Sequence, residues 1–281
     1  MNKRQQKYFA YHYVVEFTHH WETGGKYLDI PYYQFFTRLF DEELVENTVI
    51  VFFSDHGVQL GPLRETHSGE METRLPFMFI RLPENTDSFL VDSLMANKYR
   101  LTTPFDIHAT MIDLLINKPD PSLPHGLSLI DSVLSDKRDC TSAGIPPMYC
   151  SCYDDTHVLD YELIHPDETI PKIIAKINSY SKGYRKQCVE YEFQKIKSLY
   201  ERVNTKSGYS PESKTFLIQL YVKPGNVLFS TIIEGQDGNK SFEPINGKQE
   251  DTVIRISEYG NQTDCLYGKP EQDYCFCRDM L

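Results

Sequence analysis

Residues 49–57 join an apolar run to side chains that can bind a metal ion. Five consecutive apolar residues, 49–53, are followed at once by Ser54, Asp55, His56 and Gly57. An unbroken apolar run predicts a strand buried on both faces of a parallel sheet, and ligands bind beyond the carboxyl ends of such strands. A carboxylate oxygen and an imidazole nitrogen are donors for a divalent cation, and Gly57 lets the chain turn away without covering them. The pattern predicts metal-assisted chemistry.

A second polar cluster, His19-His20, follows the aromatic and β-branched segment Phe9–Phe17, which reads as a strand. A helix is predicted from Pro31 to about residue 46, because its aromatic and leucine residues recur at helical spacing. Strand, helix and strand form a βαβ unit, whose strands are parallel with a right-handed crossover. Both polar clusters are therefore expected at the same edge of the sheet.

The rest of the chain predicts a fold of two parts. Residues 58–74 show no clear periodicity, and a helix begins near residue 104. The expected elements after residue 138 are helix periodicity over 170–200 with a break near 181–183, a hairpin of strands 215–222 and 227–233, and a strand over 251–257. The predicted fold class is α/β: a partial, mostly parallel sheet flanked by helices (1–138), then a small Cys-rich α+β region (139–281).

Charge and hydropathy restrict the classes of partner. The 281 residues carry a formal net charge of -11, from 40 acidic and 29 basic residues. A nucleic-acid partner is not expected, because neutralising phosphates needs a basic surface. No apolar run is long enough to span a membrane, and residues 1–7 lack the apolar core of a signal peptide.

The cysteines suggest an oxidising compartment. We favour disulfides for these cysteines. Zinc binding by the Cys-x-Cys pairs is the alternative, but the paired cysteines of zinc sites are usually separated by two or more residues. An odd count of seven leaves one thiol unpaired or paired outside this chain, and Cys188 lies between the clusters. Asn239 and Asn261 begin glycosylation sequons, so we expect an extracellular or secretory-lumen protein whose secretion signal belongs to a longer product. The clustered disulfide candidates are Cys140, Cys150, Cys152, Cys265, Cys275 and Cys277.

Two sets of motifs carry a family resemblance. The first set is Asn47-Thr48, Ser54-Asp55-His56-Gly57, Arg64, Thr66, Gly69, Glu72, Arg74, Pro76, residues 101–107 and Thr110. These motifs together resemble the sulfatase-like branch of the alkaline phosphatase superfamily. The second set is Arg138-Asp139-Cys140, residues 143–146, Cys150-Ser151-Cys152, residues 259–262, Cys265 and residues 274–277. These more specific motifs resemble the animal, nematode-type family called domain of unknown function 229.

The resemblance implies hydrolysis or transfer of an anionic sulfate or phosphate ester at a divalent metal, zinc or calcium, with at most one site in this chain. Asp55 and His56 match metal-binding positions there. The resemblance also implies that four further residues contact the substrate or a second metal: His19, His20, His67 and Arg64. Two readings of Arg74 stay open, an ester contact or an ion pair with Glu72. The oligomeric state is not predicted.

The superfamily's hydroxyl or modified-cysteine nucleophile lies upstream of the Asp-His strand, and no such motif precedes Asp55 here. Ser54 does not replace it, because neighbouring residues on a strand point to opposite faces. We therefore expect the latter portion of a catalytic domain, with an exposed sheet edge and no activity as it stands. The alternatives are a non-catalytic secreted protein that retains the fold, and a phosphoethanolamine-type transferase.

Overall fold

A computed structural model describes residues 8–20, 23–204, 213–236, 238 and 241–281 of the chain. Within them the α-helices are α1 (Glu16–His20), α2 (Asp29–Asp41), α3 (His67–Arg74), α4 (Ser88–Asn97), α5 (Pro104–Ile116), α6 (Pro166–Tyr180) and α7 (Gln249–Thr252). The strands are β1 (Ile50–Phe53), β2 (Met78–Arg81), β3 (Tyr153–Val158), β4 (Glu192–Asn204), β5 (Lys214–Lys223), β6 (Val227–Gly235), β7 (Glu243–Pro244) and β8 (Val253–Arg255).

The chain divides into two compact units. One unit contains the described residues up to Val51 together with Ile80–Asn85. The other contains Phe52–Phe79 and the described residues from Thr86 onward, and it includes Asp55, His56 and all the cysteines. The predicted boundary near residue 138 stays a prediction. No helix within the described residues has the length and apolar character needed to cross a membrane.

The main sheet has six strands in the order β3-β4-β5-β6-β7, with β8 also paired to β6. Every pairing in it is antiparallel, so the chain has the predicted mixture of helices and strands, but its largest sheet is not the mostly parallel one that was predicted, and it lies in the part predicted to be α+β. The physical reason is connectivity: β5 and β6 are joined by the tight turn 223–226, and a short turn permits only antiparallel neighbours. This predicted hairpin is confirmed.

Helix α6 covers one face of the six-stranded sheet. Its buried Ile173 and Ile177 lie on one helical face and pack with alternate residues of β5, among them Phe216 and Ile218. Leu217, between those two, belongs to a separate cluster on the other face with Met148 and Ile232. The strand period of two and the helix period of 3.6 together account for this core.

The predicted strand Phe9–Phe17 is absent, and the βαβ prediction that used it is wrong. Residues 8–15 have no regular structure, and α1 begins at Glu16. The aromatic side chains of this segment are mostly exposed, and within the described part of the chain it has no cross-strand neighbours of the kind that stabilise a strand. Strand β1 is confirmed, but among the described strands it pairs with β2 alone, and it is half-buried, whereas the sequence predicted burial on both faces.

Other elements differ in type rather than place. The first half of the predicted helical segment 170–200 is α6, but its second half is strand β4, which gains pairing with both β3 and β5. Helix α3 lies in the segment expected to be a loop, and α4 was not predicted. Helix α5 is confirmed at its predicted start, where Asp106 accepts a hydrogen bond from the Thr103 N–H (2.8 Å) and so caps the first turn.

Candidate metal centre

Asp55 and His56 lie directly after β1, as the apolar run predicted. The His56 N–H donates to Asp55 Oδ1 (2.9 Å), which orients the carboxylate. Both side chains are half-exposed, with 53% and 45% of their surface accessible, so both can be reached from solvent. Ser54, in contrast, uses its Oγ to accept a hydrogen bond from the Phe77 N–H (3.1 Å), which joins the ends of β1 and β2.

The hydrogen bond of His56 determines which ring nitrogen can bind a metal. Nδ1 lies 2.7 Å from the carbonyl oxygen of Gly57. A carbonyl has no proton to donate, so Nδ1 carries the hydrogen, and in the neutral ring Nε2 then presents its lone pair. Metal-bound histidines use this arrangement, in which the other ring N–H donates to a carbonyl or carboxylate.

The separation of the two donor atoms fits one ion. Nε2 of His56 lies 3.7 Å from Oδ2 of Asp55. With metal–donor distances of about 2.1 Å, two donors that share one ion can lie up to about 4.2 Å apart, so both atoms could hold the same ion. The imidazole donor favours zinc over calcium, because calcium takes oxygen ligands. Two side chains supply only half of a four-coordinate shell, so water, substrate or further protein groups must supply the rest.

Gly57 is required by the close packing of its backbone on helix α3. A Cβ at this position would lie 2.5 Å from the carbonyl oxygen of Glu72 and 2.9 Å from the nitrogen of Thr73, both backbone atoms of α3. The chain also bends at Gly57, as the sequence interpretation expected. The glycine lets the loop after His56 pack directly on the last turn of α3.

Helix α3 is anchored by a buried cluster of charges around Glu70. Glu70 accepts a hydrogen bond from Arg74 Nη2 (2.5 Å), lies 3.2 Å from Arg64 Nη1, and accepts another from Gln219 Nε2 of β5 (2.9 Å). Burial lowers the pKa of Arg74, while the negative charge of Glu70 opposes that shift. The ion pair of Arg74 is thus with Glu70, not with Glu72 as the sequence suggested. Arg64 is also buried. Its contact with a substrate stays a prediction.

The charge cluster continues into the six-stranded sheet. Arg74 Nη1 lies 3.8 Å from Asp155 Oδ2 of β3, and Asp155 also accepts from Arg202 Nε of β4 (2.9 Å). Arg202 donates in turn to the carbonyl oxygen of Cys150 (3.1 Å). The segment after the candidate ligands is therefore joined to the sheet by buried ion pairs.

The histidines outside the Asp55–His56 pair have separate surroundings. His67 is the exposed first residue of α3, and its ring stacks on Tyr200 with centroids 5.4 Å apart. His19 is exposed at the end of α1 in the other compact unit, and the side chain of His20 lies outside the described residues. The expected proximity of the two polar clusters, like the metal or substrate role of these histidines, stays a prediction.

One comparison with known proteins assigns a family. A family model described as "Protein of unknown function (DUF229)" matches residues 1–197. This chain belongs to the DUF229 family. No curated protein and no solved structure matches it. The matched residues of this DUF229 protein contain Asp55, His56 and the whole of α3, whereas the cysteine motifs after residue 259 lie beyond the match.

Six cysteines of the DUF229 protein form three disulfides, as the two clusters predicted in kind: Cys140–Cys150, Cys188–Cys275 and Cys265–Cys277. Cys188 takes part although it was not among the clustered candidates, and candidate Cys152 is not in these three bonds. Its sulfur lies within 4.8 Å of those of Cys140 and Cys150. Since disulfide sulfurs are not thiolates, the disulfide interpretation fits this geometry better than zinc binding. Three disulfides indicate an extracellular or secretory-lumen protein.

The sequon residues differ in what the structure describes. Asn261 is exposed, and Thr263 of the same sequon is buried, with its Oγ1 accepting from Gln272 (2.9 Å). Asn239 lies outside the described residues. Glycosylation at either asparagine stays a prediction.

Sequence reasoning missed the residues that hold the site in place. Thr73 in α3 donates to the carbonyl oxygen of Val58 (2.6 Å), directly after Gly57. Glu70 and Gln219 meet across 149 residues of chain. The only local signal was Thr66 followed by Gly69, in which Thr66 Oγ1 accepts from the Gly69 N–H (3.0 Å) as the cap of α3.

Proposed function

We propose that this DUF229 protein binds a divalent metal, zinc in the first instance, at Asp55 and His56, and that the family to which it belongs hydrolyses sulfate or phosphate esters. The observation that carries the proposal is the pair of donor atoms Asp55 Oδ2 and His56 Nε2, 3.7 Å apart, with the tautomer of His56 set by Gly57. Both donors are accessible to solvent, as a substrate site requires.

Each residue has a defined part in this proposal. Asp55 and His56 bind the ion, which when bound supplies Lewis-acid polarisation of an ester oxygen and a lowered pKa for a bound water or hydroxyl. The Nδ1–H of His56 stays on Gly57 O and keeps Nε2 directed at the ion. Ser54 is not assigned as the nucleophile, because its Oγ is engaged by the Phe77 N–H.

Metal titration tests the proposal. Zinc binding would be measured by calorimetry on the parent chain, on Asp55→Asn, which replaces the anionic carboxylate by a neutral amide, and on His56→Ala, which removes the imidazole. Asp139→Asn and His157→Ala are matched controls, since Asp139 is partly exposed, His157 is exposed, and both lie outside the loop after β1. We expect at least a tenfold weaker affinity in the two site variants and no change in the controls. Parent protein that binds no zinc, or equal binding by all five proteins, contradicts the proposal.

A second function is favoured by the surroundings of Arg64. The guanidinium that the resemblance offers to an anionic ester is only 3% exposed and faces Glu70. This favours a secreted protein that binds metal without catalysing hydrolysis. Assays with an aryl sulfate and an aryl phosphate separate the two functions: zinc-dependent release of the phenol supports the hydrolase, and zinc binding without release supports the non-catalytic protein. Transfer to an added alcohol in place of water would identify a transferase.

A further inference from the structure

Thr73 makes an unusual second contact for a helical threonine. It is buried in the last turn of α3, and its Oγ1 lies 2.9 Å from the carbonyl oxygen of Gly69, the usual acceptor four residues back. The same Oγ1 lies closer, at 2.6 Å, to the carbonyl oxygen of Val58. A hydroxyl has one proton, so the shorter contact makes Val58 the preferred acceptor.

This contact lies two residues from His56. Gly57 connects them, and its own backbone packs on the backbone of Glu72 and Thr73 so closely that a Cβ would overlap it. The carbonyl oxygen of Gly57 is the acceptor for Nδ1 of His56. The hydroxyl of Thr73 thus fixes the carbonyl of Val58, directly after Gly57. The carbonyl of Gly57 in turn holds Nδ1 of His56, which leaves Nε2 as the nitrogen that His56 presents.

The support under Thr73 is itself well anchored. Glu70, three residues earlier in α3, is held by two buried arginines and by Gln219 of the sheet. At the start of the helix, Lys197 of β4 donates to the carbonyl oxygen of Glu65 (2.8 Å). Because α3 is held in this way, Thr73 keeps its place, and its hydrogen bond fixes the position of the loop after His56.

We propose that Thr73 is a positioning residue for the Asp55–His56 centre. Its hydrogen bond to Val58 holds Gly57 so that His56 keeps the Nδ1–H tautomer and presents Nε2 to the metal. The proposal rests on the proposed metal function, but the tautomer of His56 can be measured without any metal, so the two can fail separately.

The experiment compares three variants of buried threonines. Thr73→Val removes the hydroxyl at nearly constant shape, and Thr73→Ser retains it. Thr110→Val is the matched control: Thr110 is also buried in a helix and donates to the carbonyl four residues back (Asp106 O, 2.7 Å), but it lies in α5. The readouts are thermal stability, zinc affinity, and the ¹⁵N shifts of the His56 ring, assigned with His56→Ala.

We expect Thr73→Val to bind zinc about tenfold more weakly than the parent and to shift His56 toward the Nε2–H tautomer. Thr73→Ser should behave as the parent, and Thr110→Val should lose stability without changing either His56 readout. Equal zinc affinity and tautomer in Thr73→Val and Thr110→Val would overturn the proposal, as would weak binding by Thr73→Ser.

Two further outcomes are also decisive. If the parent binds no zinc, the proposed function fails, and the shift in tautomer alone decides the role of Thr73. If Thr73→Val does not fold, the His56 tautomer is compared in the parent and in Thr73→Ser. An Nε2–H tautomer in either protein overturns the proposal, and an Nδ1–H tautomer in both supports it.

Discussion

Asp106 and Arg138 face each other as a buried bidentate ion pair, with Nη1–Oδ2 at 2.8 Å and Nη2–Oδ1 at 2.9 Å. Asp106 also accepts from the backbone N–H groups of Thr103 (2.8 Å) and Leu127 (2.9 Å). The carboxylate therefore joins the start of α5 to two loops far along the chain. Parts of the two motifs noted at residues 101–110 and 138–140 are thus two sides of one structural contact.

We predict that Arg138→Met lowers the free energy of unfolding by about 3–5 kcal/mol, because it leaves the buried charge of Asp106 uncompensated. Urea unfolding measures the change. The control is Arg38→Met, which breaks an exposed ion pair with Glu42 (2.8 Å) and should cost under about 1 kcal/mol. Similar losses in both variants would contradict a special role for the buried pair.

Gly57→Ala should destabilise the protein by about 1–3 kcal/mol, because the added methyl meets the immovable backbone carbonyl of Glu72. Gly183→Ala is the matched control, since a Cβ there has nothing within 4 Å. Thermal unfolding would show the difference. Equal melting temperatures for the two variants would mean that Gly57 is not packed as described.

Tyr191 predicts a loss of stability at alkaline pH. Burial raises the pKa of its phenol from 10.0 to about 12, against the opposing charge of Arg255. A pKa raised in the folded state gives stability that is complete below pH 10 and is lost as the pH rises toward 12. Between pH 8 and 10.5 the parent should lose about 1 kcal/mol more than Tyr191→Phe. Denaturant unfolding at the two pH values measures this, and parallel losses would contradict it.

The disulfides predict unequal effects of removal. Cys188–Cys275 closes 87 residues and Cys140–Cys150 closes 10. On loop-closure entropy, replacing both cysteines of the long bridge by alanine should cost about 4–5 kcal/mol, and those of the short one about 3 kcal/mol. Unfolding of the two double variants tests the order. Peptide mapping without reduction checks the three pairs, and a Cys150–Cys152 or Cys265–Cys275 peptide would contradict them.

Local patterns predicted the parts of the fold that depend on local physics. The apolar run of β1 ending at Asp55, the capped start of α5 and the β5–β6 hairpin each have their signal within a few residues. The segment 9–17 has the composition of a strand but pairs with no strand among the residues that the structure describes, and the sequence of one segment cannot reveal whether a second strand lies beside it. The reverse applies to β4. Its apolar residues have helical spacing, but pairing with β3 and β5 on its two sides makes the segment a strand.

The same division applies to the candidate site. Asp55 and His56 could be found because both donors follow one strand. Glu70, Thr73 and Gln219 could not, because their importance depends on contacts with residues 15 to 149 positions away. Only the assembled structure shows that an ordinary helical threonine touches the loop of the candidate ligands.

The link between Glu70 and Gln219 also has a consequence for the order in which the molecule is completed. During synthesis, Asp55, His56 and α3 leave the ribosome about 150 residues before β5 does, and domains are made at about 5–20 residues per second. The loop therefore waits many seconds for the partner that holds its helix, and such long-range closure is a slow event in folding. The candidate centre is therefore made well before the strand that completes its support, and it gains its full rigidity only after that strand is in place.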